Sequence, residues 1–361
     1  MRCFASSGHI NAWSIRKGLR KFGLECVSLH PDPSLIRKAE VEPDHDDVVF
    51  FTEEATLVRF LAANRGKCHF YPRALSIPPD DKIAFSEAME EMGESPVPFW
   101  RLSDRAADGP PVLPLVVKPR SSWRDGRKLP RGWVCTTAQE YADAHLAMRR
   151  AGFDPEDFII QEFLPDADVV STCGFFDALD HSRNLFLTTR KLLGQGGRLT
   201  TGVVVETIAD PGGLVSRTVA ILDALCYRGP FELEFVEDRR RGVYHLLELN
   251  VRFWMQHGLF IDGCGNRLLE RYLDRDDPRS RDASPTAGVR LVWVDRLALL
   301  AAMARGRLGF IWKAWKHCRA ARASGARVVL YPDAASAMRF CGVEVIRRIR
   351  GGLAAAARKA A

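Results

Sequence analysis

Gly229-Pro-Phe-Glu-Leu-Glu-Phe-Val-Glu-Asp238 runs through the polar turn Arg239-Arg-Arg-Gly242 into Val243-Tyr-His-Leu-Leu-Glu-Leu-Asn250. Two strand-like runs joined by a short polar turn mark a β-hairpin. Residues two apart on a strand share a face, so Glu232 goes with Glu234 and Glu248 with Asn250. Centring the turn near Arg241 pairs Glu234 with Glu248 and Glu232 with Asn250. Three carboxylates and an amide then meet, and like charges directly across a strand pair repel. A bound cation removes that conflict. Hard oxygen ligands of this kind suit Mg²⁺, which takes one or two carboxylates together with waters and phosphate oxygens. The alternative is the exposed face of an ordinary hairpin, for which Leu233, Phe235, Leu247 and Leu249 are awkward neighbours.

Four upstream segments bear on that choice. Val116-Val-Lys118-Pro119 ends an apolar strand on a lysine, a point-charge partner for phosphate. Ile159-Ile-Gln-Glu-Phe-Leu164 is a second apolar strand, followed by Pro165-Asp-Ala-Asp168. Asp81-Lys82 opens a helix that stops at Gly93, with Pro96 and Pro98 just beyond. Thr188-Thr-Arg190-Lys191 precedes Gly194-Gln-Gly-Gly197. Each alone is ordinary: a core strand, a helix cap, a surface turn.

Taken together and in their order along the chain, the elements from about Asp80 to Asp274 resemble the ATP-grasp family. An acid before Phe (Glu234), followed by Leu247-Glu-Leu-Asn250, is similar to that family's metal box. The resemblance implies that Glu234, Glu248 and Asn250 ligate one or two Mg²⁺, with Mn²⁺ as a substitute, bridging the phosphates of ATP. Arg252 would touch the transferred phosphoryl group. Lys118 and Lys82 would reach the phosphates. The strand Gln161, Glu162, Phe163 and Leu164 would hold adenine, and Asp168 the ribose hydroxyls. Arg190 or Lys191 would support the γ-phosphate; alternation puts the two on opposite faces and does not choose between them. The family pattern does not require Glu232. The loop Arg120 to Gly132 departs from the family in having only two glycines, and Arg120, Ser121, Ser122 and Arg124 would have to replace backbone amides as phosphate donors. The activity implied is a carboxylate-amine ligase forming an amide through an acylphosphate from small-molecule substrates. Alternatives are an ATP-grasp phosphotransferase acting on a non-carboxylate acceptor, or an ATP-binding regulatory or membrane-peripheral protein without turnover.

The rest of the chain sets the frame. Its 361 residues suit two or three packed domains. Short strands alternating with helices to residue 63 predict a small N-terminal α/β layer over 1–78, before the Pro-rich Tyr71 to Pro79. An α/β (α+β) nucleotide domain of ATP-grasp type is expected over 79–275. A mainly helical, basic C-terminal extension is expected over 276–361, with one strand-like run at Arg327 to Tyr331. Arg290 to Ala361 carries 15 Lys and Arg against three acids; that net +12, set against +7 for the whole chain, leaves the first 289 residues near −5. Trp312, Trp315 and Phe310 interleave with Lys313, Lys316, Arg319 and Arg322. Two readings follow: an interfacial helix on anionic lipid, or, as the plainer expectation, a helix packing its aromatics on the nucleotide domain. No nucleic-acid module is visible.

The nine cysteines are scattered without a C-x-x-C pair, which disfavours zinc and disulfide frameworks. No apolar run approaches membrane-spanning length and no secretory leader is seen, so a cytoplasmic location is expected. Dispersed histidines give no nucleophilic triad; His257, just after the metal box, is the one to watch. The loop Ala5-Ser-Ser-Gly-His-Ile10 is a candidate carboxylate cradle. Oligomeric state is not legible.

Overall fold

The computed structural model describes residues 1–6, 9–29, 43–64, 68–105, 110–124, 127–165, 167–195, 201–263, 265–274, 290–339 and 341–342. The middle of the loop Ser6 to His9, residues 125–126 of the loop after Lys118, residues 196–200 and the boundary 275–289 lie outside them.

Four parallel strands open the chain: β1 (Cys3–Ala5), β2 (Cys26–Ser28), β3 (Val48–Phe50) and β4 (His69–Phe70), in the order β2-β1-β3-β4. Helices α1 (His9–Arg20) and α2 (Glu54–Asn64) connect them. β1 and β3 are buried throughout, as parallel strands covered on both faces must be. After α3 (Lys82–Glu91) comes an antiparallel sheet of β5 (Phe99–Arg101), β6 (Leu115–Pro119), β9 (Trp133–Cys135) and β10 (Phe158–Glu162), in the order β5-β10-β6-β9. The short ribbon β7 (Trp123–Arg124) and β8 (Arg127–Lys128) rises between β6 and β9. α4 (Leu102–Arg105) and α5 (Ala138–Arg150), the latter started by a Thr137/Glu140 capping box, follow β5 and β9. Leu115, Val117, Phe158 and Ile160 meet Tyr141 and Met148 of α5. Alternation therefore turns Val116, Lys118 and Gln161 the other way.

That other way faces a seven-stranded sheet of β11 (Asp168–Asp177), β12 (Leu185–Gly194), β13 (Gly202–Ile208), β14 (Arg228–Asp238), β15 (Val243–Asn250), β16 (Leu291–Asp295) and β17 (Arg327–Tyr331). Its order is β15-β14-β11-β12-β13-β16-β17. One face packs Val170, Leu233, Phe235 and Leu246 against α6 (Leu214–Ala224). Each of these fully buried side chains contributes about 1.5–3 kcal/mol of transfer free energy. The hairpin is thus held from behind, leaving its front free for charge. On the front, Cys173 and Phe175 join a core with α1, α7 (Gly258–Gly263) and α8 (Arg267–Tyr272).

The C-terminal segment differs from the expected helical appendage. α9 (Arg296–Ala304) and α10 (Leu308–Ala323) are present, but β16 and β17 pair in parallel and extend the large sheet beside β13. Leu291-Val-Trp-Val-Asp295 is too short and too β-branched for a helix, and all five residues are buried. Among the described cysteines none forms a disulfide; Cys3, Cys26, Cys135 and Cys173 are buried, whereas Cys226 is exposed.

Candidate active site

The hairpin β14-β15 pairs Glu234 with Glu248 and Glu232 with Asn250, but Phe235 with Leu246 and Asp238 with Val243. Leu247 is therefore an extra residue, a β-bulge. It reverses the alternation so that Leu246 points back to α6 while Leu247, Glu248 and Asn250 line a cavity in front. Such bulges re-aim side chains next to functional sites.

The cavity has a volume of about 520 Å³ and lies between the two antiparallel sheets, within the range of small-molecule sites. Lys118 enters from β6, with its Nζ 3.7 Å from Glu248 Oε2. Lys191 enters from β12, 3.6 Å from Glu234 Oε1. Lys82 follows the helix cap Asp81, whose carboxylate accepts from the backbone N–H groups of Ile83 and Ala84; its Nζ lies 3.4 Å from Asp80. Arg252 donates to Asn250 Oδ1 at 3.2 Å and pairs with Glu54 at 2.5 Å, while Asn250 donates to Glu232 at 3.2 Å. Four cations and four carboxylates, Glu54, Glu232, Glu234 and Glu248, are thus gathered in a largely buried space.

Burial and mutual repulsion act visibly here. Burial, then the neighbouring Glu234, pushes the Glu232 carboxyl up to about 8. Burial also raises Glu234, against Lys191. Glu248 is the exception: burial opposes its charge, yet Lys118, Lys82, Lys191 and Arg252 outweigh it and hold it below the usual carboxylate range. Its partner Lys118 is itself drawn down by burial despite Glu248. The four cations around Glu248 hold it in its charged form. Lys82 goes up, since Glu248, Asp80 and Glu54 overcome its burial.

The remaining candidates divide by strand parity. Ser171 of β11 lies opposite Glu234 and Thr189, so Lys191, two residues on from Thr189 and on its face, comes forward. Arg190, opposite Val170, goes to the α6 face, where its charge acts on Tyr244. Asp168 also lies on that rear side: it is opposite Glu237 and paired with Arg239. Gln161 and Glu162 line the cavity, but Phe163 and Leu164 do not. Phe163 N–H donates to Pro114 O, and Leu164 packs behind Leu247. In the loop after Lys118, Arg120 pairs with Asp81, Arg124 with Asp157, and Ser121 and Ser122 with Asp80; only Ser122 of these reaches the cavity. Glu54, Trp133, Val116 and Leu247 line the space without having been singled out as ligands. Glu54 is the instructive omission, because as the first residue of α2 it reads as a routine helix-start acid.

The fit to a nucleotide rests on donors. Gln161 is 2% exposed and its Nε2 has no hydrogen-bond partner among the described residues, an orphan at the end where a base would lie. Trp133, Val116 and Leu247 supply apolar walls. For Mg²⁺, Glu234, Glu248 and Asn250 offer the right hard oxygens. Among the described residues, however, no group of three acids, histidines or cysteines is poised to grip a metal; Glu234 and Glu248 reach to lysines instead.

No family sequence model matches this chain, and no curated protein matches it. Solved structures do. N5-carboxyaminoimidazole synthetase from Staphylococcus aureus, complexed with ADP, is 14% identical with a TM-score of 0.56, over 77% of this chain and 78% of that one. Carboxyaminoimidazole ribonucleotide synthase from Aspergillus clavatus, complexed with ATP, is 13% identical with a TM-score of 0.54, over 78% of each chain. The biotin carboxylase domain of Hydrogenobacter thermophilus 2-oxoglutarate carboxylase, solved with MgADP and bicarbonate, is 14% identical with a TM-score of 0.53, over 77% and 70%. The chain has the fold of the ATP-grasp superfamily.

Proposed function

We propose that this chain is an ATP- and Mg²⁺-dependent carboxylate-amine ligase. The observation that carries the reading is the gathering of Lys82, Lys118, Lys191 and Arg252 opposite the Glu234–Glu248 pair, between two sheets and beside an apolar-walled slot ending at Gln161. The slot takes adenine, with Gln161 meeting its polar edge. The lysines hold the phosphates, and Arg252 faces the γ-phosphoryl group.

Lys118 pairs with Glu248 and Lys191 with Glu234. Phosphates draw the lysines away, and the released carboxylates, with Asn250, would hold Mg²⁺. When bound, the metal neutralises the phosphate oxygens. A substrate carboxylate oxygen attacks the γ-phosphorus, and the bond to ADP breaks. An amine then attacks the acyl carbon of the acylphosphate, phosphate leaves and the amine loses a proton, giving an amide. The protein supplies positioning and charge rather than a covalent nucleophile.

Purified protein, Mg²⁺ and ATP, screened against broad sets of acids and amines, should release ADP only when both an acid and an amine are present, with an amide found by mass spectrometry. A phosphorylated acceptor without amide would replace the ligase by a phosphotransferase. ATP binding with no acceptor ever consumed would remove the enzyme reading.

A further inference from the structure

α10 carries no acid. Its 16 residues include Lys313, Lys316, Arg319 and Arg322, and among the described residues none of these four joins an ion pair. Ala314, Ala321, Phe310 and Cys318 pack inward, against Val203, Val204, Val292 and Val294 of the large sheet. The opposite side is apolar where water should meet it. Leu308 is 70% exposed, Trp312 54% and Trp315 45%, and Met303 at the end of α9 is 57% exposed. The plainer expectation, aromatics packed on the nucleotide domain, therefore fails for both tryptophans.

Leu308, Trp312, Trp315, Arg319 and Arg322 follow one another at helical spacing, so they form a stripe that is apolar at its start and cationic at its end. The two indoles stack at 4.6 Å and 17°, with Lys316 over Trp312 and Arg319 over Trp315. An apolar patch ringed by unpaired cations marks an interaction surface, and its chemistry selects the partner. Single-stranded nucleic acid would need free ring faces for stacking. These rings are already engaged by each other and by cations, and Leu308 and Met303 offer nothing to a base or phosphate. A bilayer interface uses every component: indoles at headgroup depth, Leu and Met at the acyl boundary, and lysine and arginine reaching anionic headgroups. No described helix is long and apolar enough to cross a membrane, so the contact is a surface one.

We propose that the outer face of α10, with the end of α9, docks the protein flat on an anionic lipid bilayer. This stands apart from the nucleotide reading, since no residue of the face reaches the Lys118 cavity.

The test is flotation of the full-length protein with phosphatidylcholine vesicles, with and without phosphatidylserine. The protein should float with the anionic vesicles only. It should be released at 1 M salt, where screening shortens to about 3 Å. Each cation near such a surface is worth about fivefold in partitioning, so K316E/R319E should weaken binding at least about twentyfold. W312S/W315S should weaken it by at least about tenfold, with the melting temperature lowered by only a few degrees, since a surface stacked pair is lost and no core contact is. Several results overturn the proposal: no flotation, equal binding to neutral vesicles, or full binding by both variants. Binding lost only in an R347A/R348A/R350A variant would assign it to the chain's last segment instead. Salt-sensitive oligonucleotide binding tighter than vesicle binding would assign the face to nucleic acid. A dimer seen by light scattering that W312S/W315S disperses would assign it to a second copy.

Discussion

Lys191→Met and Arg190→Met, adjacent in sequence, separate the cavity from its surroundings. Lys191 Nζ stands 3.6 Å from Glu234 in the cavity, whereas Arg190 points to the α6 face, and its Nε is buried without a hydrogen-bond partner among the described residues. Two unit charges 4 Å apart attract by about 4 kcal/mol at an effective dielectric of 20. Stripping phosphate and ammonium of water cancels part of this, so a net charge-assisted hydrogen bond is worth about 1.5–3 kcal/mol. Lys191→Met should therefore weaken MgATP by about tenfold to 150-fold in calorimetric titration. It should also let Glu234 take up a proton more readily, because burial raises that carboxyl and Lys191 opposes the rise. Arg190→Met should change MgATP affinity by less than about threefold, as sites without shared partners act independently. Thermal melts of both variants guard against unfolding. If Arg190→Met weakens MgATP tenfold or more while Lys191→Met does not, the parity assignment and the site built on it are wrong.

Glu248→Gln removes one charge from a carboxylate surrounded by four cations. It should tighten metal-free ATP, loosen Mg²⁺, and lower turnover by at least about 100-fold; calorimetry with and without EDTA reads both signs, and retained Mg²⁺ dependence would count against the ligand assignment. Gly132→Ala places a Cβ 2.4 Å from Val117 O and 3.0 Å from Lys118 Cα at φ +112°, so the Lys118 strand must move. A stability loss on the order of 2–4 kcal/mol in urea is expected, with weaker MgATP binding. Gly23→Ala, at φ +70° with nothing within 4 Å, should cost only about 1 kcal/mol and leave affinity intact. His257 is fully buried, donates Nδ1–H to Trp254 O, and is held by burial at about 4 instead of 6.5. The unfolded chain thus binds its proton first as pH falls. Stability should be full above about pH 6.5 and drop by about 3 kcal/mol toward pH 4. His257→Gln should flatten that slope, and an unchanged slope would show that another group sets it.

What was legible in the sequence is local. Lys118 and Gln161 alternate with the core residues Val117 and Ile160, so their common outward face follows from a period of two. The carboxylate pairing expected from a turn centred near Arg241 is present, but the turn itself sets Asp238 opposite Val243, and the bulge at Leu247 is what brings Glu248 opposite Glu234. Arg190, Lys191 and Asp168 were not placeable, because their faces depend on how β11 registers with β12 and β14, with paired residues up to about seventy positions apart. One residue of slip would exchange all three faces. Chain order brought Asp168 to the right strand and said nothing of its side. Arg252 and Glu54 meet only because the N-terminal layer docks on the large sheet through the shared core of Ile15, Phe50, Phe253 and Tyr272.

The bulge at Leu247 is where local pattern and function part. From the turn, Asp238 pairs with Val243 and Phe235 with Leu246. Continued without interruption, that register would set Glu248 opposite Leu233 and aim a carboxylate into the apolar layer under α6, at a cost of several kcal/mol. Leu-Leu-Glu-Leu-Asn cannot satisfy a strict alternation: Leu246 must go in, Glu248 and Asn250 must go out, and Leu247 between them must yield. One unpaired residue resolves the conflict. It carries Glu248 across to Glu234 and turns Leu247 into a cavity wall backed by Leu164. The irregularity thus joins the ends of one cavity, since the residue displaced from the ladder forms its apolar wall and the residues it re-registers, Glu248 and Asn250, face Lys118 and Arg252.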